Sequence, residues 1–253
     1  MKLKVLLLSI FLISISCSKD DDPAPLTNTP TTTVATVNKI TALANFSYKT
    51  YYQENANANN RKGIIILAHG DGGTFNDGTL NDQCNALAEA GYVAATTSYR
   101  NPNQGYINDV NNYKSDIESV INKIVSDYSI SINKVIVGGS SRGGDLMFPM
   151  FLPANADNSI VPTTLNIKGI ILQCSGGDNY KGSAIKKQVA YMSNKNDNVF
   201  GTDATTFQTG LSNNLDNSVK TLSECLIINS TGHCTNPEQY KPFILRKVKE
   251  WLP

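Results

Sequence analysis

Short, mainly apolar runs alternate with amphipathic stretches along most of this chain. Runs at 63–68, 92–98, 134–138, 168–174, 187–192 and 224–229 predict strands buried on both faces, since such strands carry little polar alternation. Phe46 to Gln53 alternates more regularly and predicts an early strand, followed by an Asn-rich turn over 54–60. Between these runs the pattern predicts helices near 80–90, over 114–127, from 142, over 204–215 and over 237–251. In the second of these, Ile117, Val120, Ile121, Ile124 and Val125 form one stripe at helical spacing, which is a core face rather than a partner groove. The β-α alternation predicts an α/β fold, a mostly parallel central sheet with helices on both faces.

The first residues break this pattern. Lys2 and Lys4 precede an apolar stretch from Val5 to Ile15 and then Ser16-Cys17, the plan of a secretory signal. That stretch is shorter than the about 20 apolar residues a membrane span needs. Cys17 after a small residue resembles the bacterial lipobox, although Ser14 stands where Leu is commonest, and Ser18-Lys19-Asp20-Asp21-Asp22 resembles the acidic tag of Bacteroidetes surface lipoproteins. The resemblance implies acylation of Cys17 and attachment to the outer membrane, with the chain exposed at the surface. Pro23 to about Asn38 is rich in Pro and Thr and reads as a tether. The expected division is a signal peptide over 1–16, a lipidated cysteine with its tether over 17–40, and a catalytic domain over 41–253.

Charge narrows the partners. Lys and Arg number 22 against 21 Asp and Glu, and two of the lysines belong to the leader, so the body is nearly neutral. With no dense basic run, nucleic-acid binding is not expected. Cys84, Cys174, Cys225 and Cys234 allow three complete pairings among which sequence cannot choose, and Cys174 at a buried strand end suits a free thiol. No C-x-x-C is present and His233-Cys234 lacks partners at ligand spacing, so no metal site is expected.

The chemistry is concentrated in three loops. Gly139-Ser140-Ser141-Arg142-Gly143 is a G-x-S-x-G pattern between a predicted strand and a predicted helix. Such a turn holds its serine in strained backbone geometry with Oγ exposed at the sheet's carboxyl edge, so Ser141 is the candidate nucleophile. A serine needs a base, and the chain has only two histidines. His233, in a loop after the last predicted strand, has the chain order expected of that base. Its orienting acid should leave the next-to-last strand, which selects Asp197, with Asp178 and Asp203 as alternatives. His69-Gly70-Asp71-Gly72-Gly73 follows an early strand and is expected to supply one oxyanion-hole N–H from Asp71 or Gly72, with Arg142 N–H as the second donor.

The His69 loop, the Ser141 elbow and the segment from Ala86 through Gly91-Tyr92-Val93-Ala94 to Tyr99-Arg100 together resemble the α/β-hydrolase superfamily. The likeness runs from about Ala44 to the C-terminus, and is to dienelactone-hydrolase-like and carbohydrate-esterase-like serine hydrolases. The HGGG form of the first loop is departed from at Asp71. The resemblance implies a Ser-His-Asp mechanism on carboxylic esters without metal or organic cofactor. A cap domain in this superfamily usually follows the strand after the elbow helix. Only Ser175 to Lys186 is available there, so the cleft is expected to be open and to admit a polysaccharide-linked ester. A peptidase of the same fold and a non-catalytic binding lipoprotein are the competing readings.

Overall fold

The structure is a computed structural model describing residues 35–54, 60–100, 103–155 and 159–253. The expected signal, Cys17 and most of the tether lie outside the described residues. Among the described residues eight strands form one sheet in the order β1-β2-β4-β3-β5-β6-β7-β8. They are β1 Thr36–Ala42, β2 Ser47–Gln53, β3 Ile64–Ala68, β4 Val93–Thr97, β5 Val135–Ser140, β6 Gly169–Gln173, β7 Val189–Asn196 and β8 Glu224–Thr231. β1 pairs antiparallel with β2, and β2 with β4; every other pairing is parallel. The α/β class is therefore the observed one.

Among the described residues seven α-helices accompany the strands: α1 Gly78–Glu89, α2 Tyr106–Tyr128, α3 Arg142–Met147, α4 Asn179–Ala184, α5 Asp203–Ser212, α6 Asn217–Leu222 and α7 Pro237–Trp251. Each central strand splits its side chains between two cores, as the two-residue repeat requires. Ile64 and Ile66 of β3 face one core with α2, α3, α5 and α6, through residues such as Ile117, Leu146, Phe207 and Val219. Ile65 and Leu67 face the other, against Leu80 and Leu87 of α1 and Phe243 and Val248 of α7. Helices thus cover both faces.

Three expectations need correction. Thr36–Ala42 is a strand registered along β2 from Gln53 to Ser47, so the folded body begins before the expected boundary at 41 and takes residues assigned to the tether. Its few large apolar side chains hide it, because an edge strand is held by backbone hydrogen bonds rather than burial. α2 starts at Tyr106, not near 114. Its stripe continues back through buried Val110 and Tyr113, and Asp109 accepts the N–H groups of Asn103 at 3.1 Å and Gln104 at 3.0 Å, which fixes the entering loop. The short polar helices α4 and α6 were not expected. They are set by their N-caps, Asp178 accepting Lys181 N–H at 2.6 Å and Asp216 accepting Ser218 N–H at 2.9 Å.

The topology also places the loops that carry the chemistry. From β3 the sheet grows in both directions, to β4 on one side and β5 on the other. At such a switch point the loops leaving the carboxyl ends of neighbouring strands part and leave a crevice. The His69 loop leaves β3 and Ser141 leaves β5, side by side.

Candidate active site

Ser141 follows β5 directly and caps α3 with φ 50° and ψ −121°, a left-handed conformation that a non-glycine residue adopts only when its surroundings enforce it. The enforcement is visible. Ser141 N–H donates to Gln173 O of β6 at 2.8 Å, and Ser141 O accepts Asp145 N–H at 2.9 Å. A Cβ on Gly139 would overlap the Gly143 backbone, and one on Gly143 would overlap His69 O. Both glycines therefore allow an approach no other residue permits, and the first turn of α3 rests on the His69 loop.

His233 Nε2 lies 2.8 Å from Ser141 Oγ, and its Nδ1 lies 2.8 Å from Asp197 Oδ2 and 3.0 Å from Oδ1. With the proton on Nδ1, the ring donates to Asp197 and accepts the Ser141 hydroxyl, giving one unbroken chain from carboxylate to nucleophile. Asp197 is 4% exposed, and its Oδ1 also accepts Val199 N–H at 2.8 Å and Phe200 N–H at 3.1 Å. A tight turn, Gly201 N–H donating to Asp197 O at 2.7 Å, closes beneath it. The carboxylate is thus fixed by its own loop before it meets the ring. The alternatives bond elsewhere: Asp178 caps α4, and Asp203 accepts Gly177 N–H at 3.1 Å while burial raises its pKa.

His69 takes no part in that chain. It is 6% exposed and stacks on Tyr99 with ring centroids 4.4 Å apart, and its Nδ1–H reaches Gly70 O at 2.5 Å. Burial pushes its pKa down, which keeps the ring neutral. Of the three N–H groups after Gly70, that of Gly72 donates to Asp71 Oδ1 at 3.1 Å and that of Gly73 to Gly70 O at 3.2 Å. The Asp71 N–H has no partner among the described residues. Arg142 N–H, first in its helix, has no intrahelical acceptor either. Two unused donors therefore lie in loops that touch through Gly143.

Around this centre, the Arg142 guanidinium lies between Asp109 at 3.6 Å and Asp145 at 3.4 Å, and Lys181 stands 3.4 Å from Asp145. Phe200 sets its ring edge-on to His233, with centroids 5.5 Å apart. A cavity of about 280 Å³ opens beside the His69 loop, lined by His69, Asp71, Gly72, Gly73, Thr74, Ser98 and Tyr99. A larger one of about 510 Å³ lies at the amino ends of β6 and β7, the opposite edge of the sheet from Ser141.

Against the expectation of a free thiol, Cys174 is bonded to Cys234, next to His233; Cys84 and Cys225 are unpaired. Nothing in the spacing signals the pair, because its members are 60 residues apart and meet only when β6 and the β8 loop converge. Asn194 was likewise invisible: one Asn among many in the sequence, it is fully buried beneath the His233 loop.

No family model matches the sequence, and no curated protein does. Solved structures are similar in shape. One is esterase 2 of the planctomycete Thermogutta terrifontis, solved with butyrate bound, at 15% identity, TM-score 0.59, 82% of this chain and 88% of that one. Another is a Klebsiella pneumoniae protein assigned as a dienelactone hydrolase, at 13% identity, TM-score 0.59, 86% of this chain and 98% of that one. A third is esterase B of Lactobacillus rhamnosis, at 14% identity and TM-score 0.56, covering 85% and 86%. The fold is that of the α/β hydrolases. At these identities the likeness carries the fold, and the chemistry has to be argued from this chain's own residues. The α/β-hydrolase order of strands nonetheless puts Ser141, Asp197 and His233 after β5, β7 and β8, at one edge of one sheet.

Proposed function

We propose that this protein is a serine hydrolase that cleaves carboxylic esters through an acyl-enzyme. The observation that carries the reading is the continuous hydrogen-bonded chain Asp197–His233–Ser141, with the serine held at positive φ. In this reading His233 Nε2 takes the Ser141 proton as Oγ attacks the ester carbonyl, and Asp197 stabilises the imidazolium that forms. The oxyanion is met by the N–H groups of Arg142 and Asp71; Gly72 is the weaker candidate because its N–H already serves the Asp71 carboxylate. Collapse expels the alcohol with the proton from His233, and water, activated by the same ring, releases the acid.

The decisive experiment is labelling with a fluorophosphonate probe followed by peptide mapping. The adduct is expected on Ser141, lost in Ser141→Ala and retained in Ser140→Ala. An adduct on Ser140, or none, would defeat the assignment. Turnover of p-nitrophenyl acetate with none of a peptide anilide separates esterase from peptidase.

The substrate and location extend the proposal. Between β6 and β7 the only helix among the described residues is the six-residue α4, too small for a cap, so a bulky acyl donor can approach Ser141. That supports an ester borne on a polysaccharide. The bound butyrate of the Thermogutta terrifontis esterase supports a short acyl group. Release of acetate from acetylated xylan tests the pair of ideas, and turnover of small esters alone would remove the polymer. Anchoring through Cys17 to the outer membrane is proposed from sequence. Detergent-phase partitioning and an acyl mass increment on the Cys17 peptide are expected, and a soluble chain with unmodified Cys17 would reject it.

A further inference from the structure

His233 stands in a short connecting segment whose own bonds, Thr235 Oγ1 to Thr231 O at 3.2 Å and Asn236 Nδ2 to Ser230 Oγ at 2.9 Å, do not involve its ring. It lies between the end of β8 at Thr231 and the start of α7 at Pro237, flanked by Gly232 at φ 96° and Cys234 at φ 53°. No ladder or helix bond fixes the ring, so its position is set from outside. Two neighbouring strands supply the fixing. Asn194, fully buried on β7, donates through Nδ2 to Gly232 O at 2.6 Å and Thr235 Oγ1 at 2.8 Å, while its Oδ1 accepts Asn236 Nδ2 at 2.7 Å. From the end of β6, Cys174 is bonded to Cys234 with Cα atoms 5.5 Å apart.

The disulfide also touches the other half of the site. Ser140 Oγ lies 3.7 Å from Cys234 Sγ, and the residue preceding Cys174, Gln173, accepts the Ser141 N–H at 2.8 Å. One strand end therefore holds Ser141 by a hydrogen bond and the residue next to His233 by a covalent bond. The hydrogen bond acts on Ser141, and the covalent bond acts on the loop that carries His233.

We propose that the Cys174–Cys234 disulfide and the Asn194 amide are positioning elements for His233, so that the rate of hydrolysis depends on the thiol redox state of the protein. The proposal rests on the serine-hydrolase reading. Displacing a catalytic group by about 1 Å costs on the order of 100-fold in rate. Of the two residues Cys234 is half-buried and Cys174 fully buried, so attack is proposed at Cys234. A dithiol's thiolate attacks Cys234 Sγ, the S–S bond breaks, and Cys174 leaves as a thiolate that takes up a proton. The reagent's second thiolate then displaces Cys234 from the mixed disulfide, so the reagent is oxidised by two electrons and the cystine reduced by two. Cys84 and Cys225 are poor competitors in this exchange, since burial raises both thiols, that of Cys225 to about 12.

The test compares oxidised protein with protein reduced by dithiothreitol and desalted without air, on p-nitrophenyl butyrate. Complete reduction is verified by alkylation of Cys174 and Cys234 peptides. A kcat at least about tenfold lower, with KM within about twofold and activity restored by oxidised glutathione, is the expected result. Equal kcat in the two states overturns it. If reduction also removes the far-UV circular dichroism, Asn194→Ala decides: a folded variant with lowered kcat and unchanged KM supports the proposal, and a folded variant of wild-type rate overturns it. Fluorophosphonate labelling keeps the two readings apart. No adduct on Ser141 of the oxidised protein removes the hydrolase reading and the clamp with it, whereas equal labelling rates in both states remove the clamp alone.

Discussion

At the scale of single residues, the two histidines do opposite work for opposite reasons. His233 is half-buried and bonded at both ring nitrogens, to the serine and to the carboxylate. His69 is buried against Tyr99 with its Nδ1–H spent on a neighbouring carbonyl. Exchanging His233 for Ala should lower kcat about 10³-fold or more, as removal of a base does in comparable sites. Asp197→Asn should also lose most of its rate, and Asp178→Asn should stay near wild type; the reverse order would move the acid to Asp178. His69 makes a prediction about stability instead. Its folded pKa lies below the unfolded value of 6.5, so the unfolded chain binds more protons as acid is added. Its contribution is therefore complete above about 6.5 and falls as the pH drops through the lowered folded value. Urea unfolding at about pH 7.5 and about pH 5.5 should show a smaller acid-induced loss in His69→Asn than in wild type; an identical loss refutes the assignment.

At the scale of elements, what the pattern reveals depends on how an element is held. β3, five buried residues in a row, and α7, with its apolar stripe from Tyr240 to Trp251, are stabilised by burial, and burial leaves a periodic signature. The prediction for α7 matched both of its ends. β1, α4 and α6 are stabilised by backbone pairing and by caps, which leave no such signature. The start of α2 was missed for a related reason: Asn108, Asn111 and Asn112 dilute the stripe although Val110 and Tyr113 continue it. The other end of α2 closes at Ser129 with φ 53°, a left-handed cap that costs a non-glycine residue. Ser129→Gly should raise unfolding stability by roughly 0.5–1 kcal/mol; a drop in the urea midpoint would show that the serine earns its place by a bond. Gly143→Ala tests the opposite case. Its methyl has no room beneath His69 O, so at least about 1–3 kcal/mol should be lost together with activity.

At the scale of the whole molecule, the sheet order is what turns three distant loops into one site. Ser141, Asp197 and His233 leave three different strands, and β5 to β8 lie consecutively in the sheet, so all three reach one edge. The cavity of about 510 Å³ lined by Lys168, Lys186 and Lys187 lies at the other edge, away from these three residues. On the proposed reading a polymer would approach Ser141 past the six-residue α4, and a higher rate on acetylated xylan than on a small ester is the expected result.

The sequence by itself determined the strand–helix alternation and the elbow around Ser141, because each is a local pattern of apolar spacing or glycine placement. It determined the candidates His233 and Asp197 through chain order, which a parallel sheet translates into position. It did not determine which N–H of the His69 loop is free, since that depends on how the Asp71 carboxylate folds back onto Gly72. Nor did it determine the Cys174–Cys234 pairing or the burial of Asn194 under the histidine loop. These are contacts between segments far apart in the chain. Their geometry exists only once β6, β7 and β8 are side by side.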